Sequence, residues 1–147
     1  MRTLATTLAL AGLALPALAD SPRVPLLPAY VQECGSCHVA FAPSLLPAAS
    51  WQRLMDGLAR HYGTDASLDP QATRALSTWL AAHAGGKRAA EAPRDDRITQ
   101  GGWFQREHRE VRTRFGTPAV RSAADCGACH TQAAAGSYRE REIRLPG

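Results

Sequence analysis

Two stretches of this chain carry the same reactive pattern: Cys34-Gly35-Ser36-Cys37-His38 and Cys126-Gly127-Ala128-Cys129-His130. All four cysteines of the sequence fall in these two stretches, and none is left over. In Cys-x-x-Cys-His the two thiols can add across the vinyl groups of haem to form thioethers. The histidine that follows is then held against one face of the iron. A zinc site built on Cys₂His would want a second ligand pair nearby to close its tetrahedron. A redox dithiol sits at the start of a helix in a βαβ pattern, which the sequence lacks. Two plain disulfides would not explain a histidine in the same place twice. The implied cofactors are two covalently attached haem c groups, bound through Cys34 and Cys37 and through Cys126 and Cys129.

An attached haem has a second axial position to fill. Of the five histidines, His38 and His130 are the proximal ligands, which leaves His61, His83 and His108 for two distal positions. Met55 is the only methionine beyond Met1, so at most one iron could take a Met/His pair. The simplest assignment is bis-histidine at both. His108 has no rival in its half of the chain. In the first half, His83 lies nearer the middle of an apolar helical face than His61, and periodicity alone favours it slightly. Met55 reads as core packing, the commoner role of methionine on an apolar face.

These ligands need helices to position them. Residues 30–38 read as one helix carrying the first motif at its end. Ser50 reads as the N-cap of a second, running from Trp51 to about Tyr62 and stopped by Gly63, with Trp51, Leu54, Met55 and Leu58 on one face. Asp69 followed by Pro70 opens a third, which ends near Ala84 with Leu76, Trp79 and Leu80 facing inward. Thr99 precedes a helix over 103–111, and Ser122 one that carries the second motif toward Ala135 and stops at Gly136. No alternating strand pattern is present. The expected fold class is mostly α: two small helical segments, each holding one haem, the first of them cytochrome c-like. The segments span residues 20–86 and 98–147, joined by a charged linker, bounded by Gly and Pro, over 87–97.

Residues 1–19 read as a cleaved export signal. Arg2 precedes an uncharged apolar run from Leu4 to Leu15, and Ala17-Leu18-Ala19 supplies an Ala-x-Ala cleavage site before Asp20. That run is too short to span a bilayer, and no later stretch is apolar enough, so the mature chain is expected to be soluble, periplasmic and not membrane-spanning. Hydrophobic residues make up 45% of the 147, too many for disorder, yet aromatics are only 6%, and the core is modest. Two haems would supply the missing apolar surface. The net charge of +4 is uneven: residues 20–86 hold four basic and five acidic side chains, residues 87–147 twelve and eight. The basic half could steer an acidic protein partner, offset by haem propionates. Nucleic acid is not an expected partner in that compartment.

The motifs together resemble the small periplasmic dihaem cytochrome c family. The matching residues are Cys34 to His38, Ala40-Phe41, Leu45-Leu46-Pro47, Ser50-Trp51, Leu54-Met55, His61-Tyr62-Gly63 and Asp65 to Asp69. After the linker come Arg97-Ile98-Thr99, Trp103-Phe104, Arg106-Glu107-His108 and Ala124 to His130. The resemblance implies bis-histidine haems with His61 and His108 as the distal ligands, not His83. It also implies an electron-carrying role beside an oxygen-binding monohaem cytochrome c and a membrane cytochrome b. A saturated iron suits electron transfer and leaves no place for a substrate. The rival class is a haem enzyme or gas binder with one exchangeable axial site, and a third is a structural subunit of a larger assembly.

Overall fold

The computed structural model describes residues 24–86 and 89–147, so the expected export signal lies outside the described residues. Among the described residues four α-helices carry the architecture: α1 (Pro28–Cys34), α2 (Ala48–Asp56), α3 (Pro70–His83) and α4 (Gly102–Glu107), with short 3-10 turns between and after them. Among the described residues, β-structure is confined to three isolated bridges, His61 with Thr64, Thr117 with Val120 and His130 with Ile143. The fold is mostly helical.

The first half is organised by α2 packed on α3, with Tyr30 of α1 set against Trp51 of one and Trp79 of the other. Tyr30, Ala40, Leu46, Trp51, Met55, Leu76 and Leu80 form one buried cluster. Tyr30 meets the Trp51 ring edge-on at 6.5 Å and the Trp79 ring at 5.2 Å. Both polar handles are satisfied: Trp51 Nε1 donates to the Pro43 carbonyl (2.7 Å), and the Tyr30 hydroxyl to that of Phe41 (2.8 Å). Helix α3 begins where Asp69 and Pro70 predict. The Asp69 carboxylate accepts from the Gln71 and Ala72 amides at 2.8 and 2.9 Å.

Other boundaries differ from the sequence reading. Helix α1 starts two residues before Tyr30 and ends at Cys34, so only the first cysteine of the motif is helical. Helix α2 starts at Ala48 with Pro47 as its N-cap residue. Ser50 is fully buried inside it and accepts from the Arg53 guanidinium at 3.2 Å, so it caps nothing. The same helix ends at Asp56, and a 3-10 turn over Leu58–Arg60 leads into His61. Thr99 lies in a preceding turn and accepts from the Gln105 side chain, while α4 stops at Glu107 and continues as 3-10 turns to Arg114.

The expected helix over 122–135 does not form. Only short 3-10 turns at Cys126–Ala128 and Ala133–Ala135 are present. Its backbone groups are claimed from elsewhere: the Arg144 amide donates to Cys129 (2.9 Å), and Thr131 donates to the Glu142 carbonyl through amide (3.4 Å) and hydroxyl (2.8 Å). Tertiary pairing with the C-terminal stretch outweighs the local helical preference. Gly136 still ends the segment, in the left-handed conformation at φ 71°.

Candidate functional site

The first motif leaves α1 in a tight turn. The Gly35 amide donates to Val31 O at 2.9 Å, and a Cβ at Gly35 would run into that same carbonyl oxygen. The turn delivers His38, whose ring stacks on Phe41 at 4.8 Å. His38 Nδ1 lies 2.8 Å from the Val39 carbonyl, which can only accept, so Nδ1 carries the proton and Nε2 keeps its lone pair. Facing it at 6.3 Å, with the planes 27° apart, is the ring of His61. Burial pushes His61 below the usual imidazole range, and the neighbouring charges of His38 and Arg97 add to this. A neutral imidazole is the form that ligates.

The second motif builds a corresponding pair, with the His108 and His130 ring planes 62° apart. His108 sits just after α4 and its Nδ1 donates to Phe104 O at 2.9 Å, while its ring stacks on the Phe104 ring at 4.0 Å and 16°. Opposite it, 6.0 Å away, is His130, lowered in the same sense by burial and then by His108. The pair opens on a cavity of about 240 Å³ lined by Trp103, Phe104, Cys126, Cys129 and Tyr138 among others. A second cavity of about 380 Å³ is lined by Cys37 and His38 on one side and Ser122, Asp125 and Cys126 on the other. The two attachment sequences therefore open on common space.

These residues fit the group their motifs imply. Two imidazole nitrogens, each about 2 Å from one metal, put their ring centres about 6 Å apart, which matches the 6.3 and 6.0 Å separations. Among the described residues, the buried side-chain polar atoms without a hydrogen-bond partner are His61 Nδ1, His130 Nδ1 and Tyr138 Oη, all at these two places. The four cysteines are unpaired thiols. Burial raises Cys34 and Cys126 to about 11 each, helped by Glu33 and Asp125, opposite to the lowered thiol of a reactive dithiol. No group of three or more His, Cys, Asp or Glu among the described residues is set to hold a bare metal ion.

The remaining candidates lie apart from both facing pairs. His83 turns back on its own helix, with Nδ1 bonded to Trp79 O at 2.8 Å and its ring 5.0 Å from the Trp79 ring. Met55 is buried in the core at 6% exposure. Sequence reasoning missed Tyr138, whose ring lies 5.3 Å from His130, because nothing in its spacing ties it to the motif. It also missed the partnership of Tyr62 with residues 95–97. The Phe104 stack was legible in principle, since four residues separate it from His108 on one helical face.

A family model for dihaem cytochrome c matches residues 30–138. The chain is similar to the solved dihaem cytochrome c of Shewanella baltica OS155, with 36% identity, a TM-score of 0.72, and coverage of 82% of this chain and 93% of that one. It is also similar to a solved dihaem cytochrome c of Rhodobacter sphaeroides, at 38% identity and a TM-score of 0.70, over 80% of this chain and 100% of that one. A second structure of the protein from Rhodobacter sphaeroides matches at 36% identity and a TM-score of 0.61, over 76% and 96%. No curated protein matches at a significant level. With two haem-attachment sequences, two facing imidazole pairs and these relatives, the chain belongs to the dihaem cytochrome c family, electron-transfer proteins carrying two covalently bound c-type haems.

Proposed function

We propose that this chain is an exported, periplasmic electron carrier whose two haems each take two histidines, His38 with His61 and His130 with His108. The observation that carries this reading is the pair of facing imidazoles at 6.3 and 6.0 Å. The bound haems supply a reversible one-electron iron couple. The chain's contribution is to hold and orient the imidazoles on both faces, and burial lowers His61 and His130 toward the neutral form. Backbone carbonyls of Val39 and Phe104 fix the tautomer of His38 and His108 and make those rings better donors. Imidazole on both faces leaves no open position for a substrate and lowers the potential relative to a methionine ligand.

Near-infrared magnetic circular dichroism of the oxidised protein tests the ligand set. Bis-imidazole bands at both haems are expected, and a methionine–iron band would overturn it. Mass spectrometry of exported protein should give the chain cleaved after Ala19 plus two haem masses. Residues 20–86 and 98–147 act in this reading as two haem segments joined through 87–97. The proposed partners are redox proteins, by family resemblance an oxygen-binding monohaem cytochrome c and a membrane cytochrome b. Among the described residues no helix is long and apolar enough to cross a membrane. The rival, an enzyme or gas binder, needs an axial position that is open at rest, and immediate stoichiometric carbon monoxide binding on mixing with the reduced protein would favour it.

A further inference from the structure

The two imidazoles that face a motif histidine are fastened differently. His108 is bonded and stacked onto its own helix at Phe104 (2.9 Å and 4.0 Å). His61 has no such bond: its Nδ1 is buried without a partner, and it follows a 3-10 turn. The ring beside it is Tyr62, at 4.8 Å. Tyr62 has φ 51°, a left-handed conformation that an aromatic residue rarely adopts. What holds it there is a segment more than thirty residues further along. The Tyr62 hydroxyl donates to Asp95 O at 2.9 Å, and the Arg97 guanidinium lies 3.9 Å from the ring centre.

That segment is itself held under strain. Asp95 and Asp96 have φ of 55° and 53°, and with Tyr62 they are all the non-glycine residues of positive φ among those described. Asp96 is pinned to α2 by a two-pronged bond from Arg53, at 2.8 and 2.6 Å. Strained backbone persists only where its surroundings over-determine it, and it gathers at functional sites. Here all of it gathers on one contact, next to one axial candidate.

We propose that this clasp, residues 95–97 closed over Tyr62 and anchored by Arg53, keeps His61 facing His38. When it opens, the first site becomes the place where a small neutral ligand of ferrous haem, of the carbon monoxide type, enters. Tyr62 and Arg97 are then positioning residues acting through His61. The inference rests on the reading of His61 as an axial ligand.

The test uses the reduced holoprotein carrying both haems, mixed with carbon monoxide and followed optically. Wild type should bind slowly. Arg97→Gln and Tyr62→Phe should each bind about tenfold faster, at one haem per chain, since each loses one such contact. Arg97→Lys keeps a cation over the ring and should stay near wild type. In a His61→Ala background, which already frees that position, Arg97→Gln should add nothing. Unchanged rates in both Arg97→Gln and Tyr62→Phe would overturn the clasp. So would acceleration at both haems, or a further gain in the His61→Ala background. A methionine–iron band in the oxidised wild type would instead remove the axial reading, and the clasp with it. Bis-imidazole bands with equal rates would remove the clasp alone.

Discussion

The first half of the chain buries side chains against one another, whereas the second half gathers them around a space. Seven residues from Tyr30 to Leu80 make a continuous core, with Trp51 and Tyr30 both hydrogen-bonded inside it. Beyond residue 97 the buried residues are Phe104, Val120, Ala133 and Ser137, and His108 and His130 line a cavity of about 240 Å³. The lesson concerns what a haem does for a short chain. In the first half it is added to a core that exists. In the second it is the core, and the protein contributes mainly a lining of aromatic rings and turns.

The largest effect should come from taking the second haem away. Cys126→Ser with Cys129→Ser prevents its attachment, and residues 102–147 should lose amide protection from hydrogen exchange while α2 and α3 keep theirs. The haem stays attached to the unfolded chain but is packed and ligated only in the folded one, so its removal takes away stabilisation that this half draws from little else. The reciprocal pair, Cys34→Ser with Cys37→Ser, should leave α2 and α3 protected. Equal loss in both halves would erase the contrast.

A test from the other side removes part of the first core. Trp51→Phe strands the Pro43 carbonyl and leaves a void, at a cost of about 2 to 3 kcal/mol, read by denaturant unfolding of the holoprotein. The optical spectrum of the haem at His130 should not change. If it does, the halves are more tightly coupled than their separate cores imply.

How much of this was legible depends on how local each cause is. Asp69 and Pro70 open α3 through bonds made within three residues, and that start was readable. Helix α2 starts three residues earlier than Ser50 implied: its N-cap is Pro47, which makes no side-chain cap bond, and Ser50 is buried inside the helix. The helix expected over the second motif fails for a remote reason, the pairing of 129–131 with 142–144. The histidines divide in the same way. His61 lies after a 3-10 turn, where the 3.6-residue period no longer applies, so periodicity favours His83, whose Nδ1 bonds to Trp79 O within its own helix. The motifs were readable because their chemistry is written in consecutive residues.

Met55 sharpens the contrast at smaller amplitude. Buried in the first core, it should accept leucine at a cost below about 1.5 kcal/mol, with both haem spectra unchanged. Loss of a low-spin signal in Met55→Leu would move this methionine from packing to ligation and undo the assignment of His61.

The smallest effect tests the joint between the halves. The Arg53 guanidinium, bonded to Asp96, holds that carboxyl below its ordinary value against the opposing influence of burial, with help from Ser50. The folded chain therefore binds fewer protons at Asp96 than the unfolded one. The contribution of the pair is fully present above the unfolded value of about 4 and fades as pH falls through the lowered folded one. Arg53→Gln should lower the melting temperature slightly at pH 7 and progressively less below pH 4, until the two proteins melt together. The pair is partly exposed, and high salt should shrink the difference only in part, since a fork at 2.6 to 2.8 Å keeps its hydrogen bonds when its Coulomb attraction is screened. A difference that persists undiminished in acid would mean that Arg53 acts through Ser50 and helix packing, and that the linker is held to the first half by something other than this charge pair.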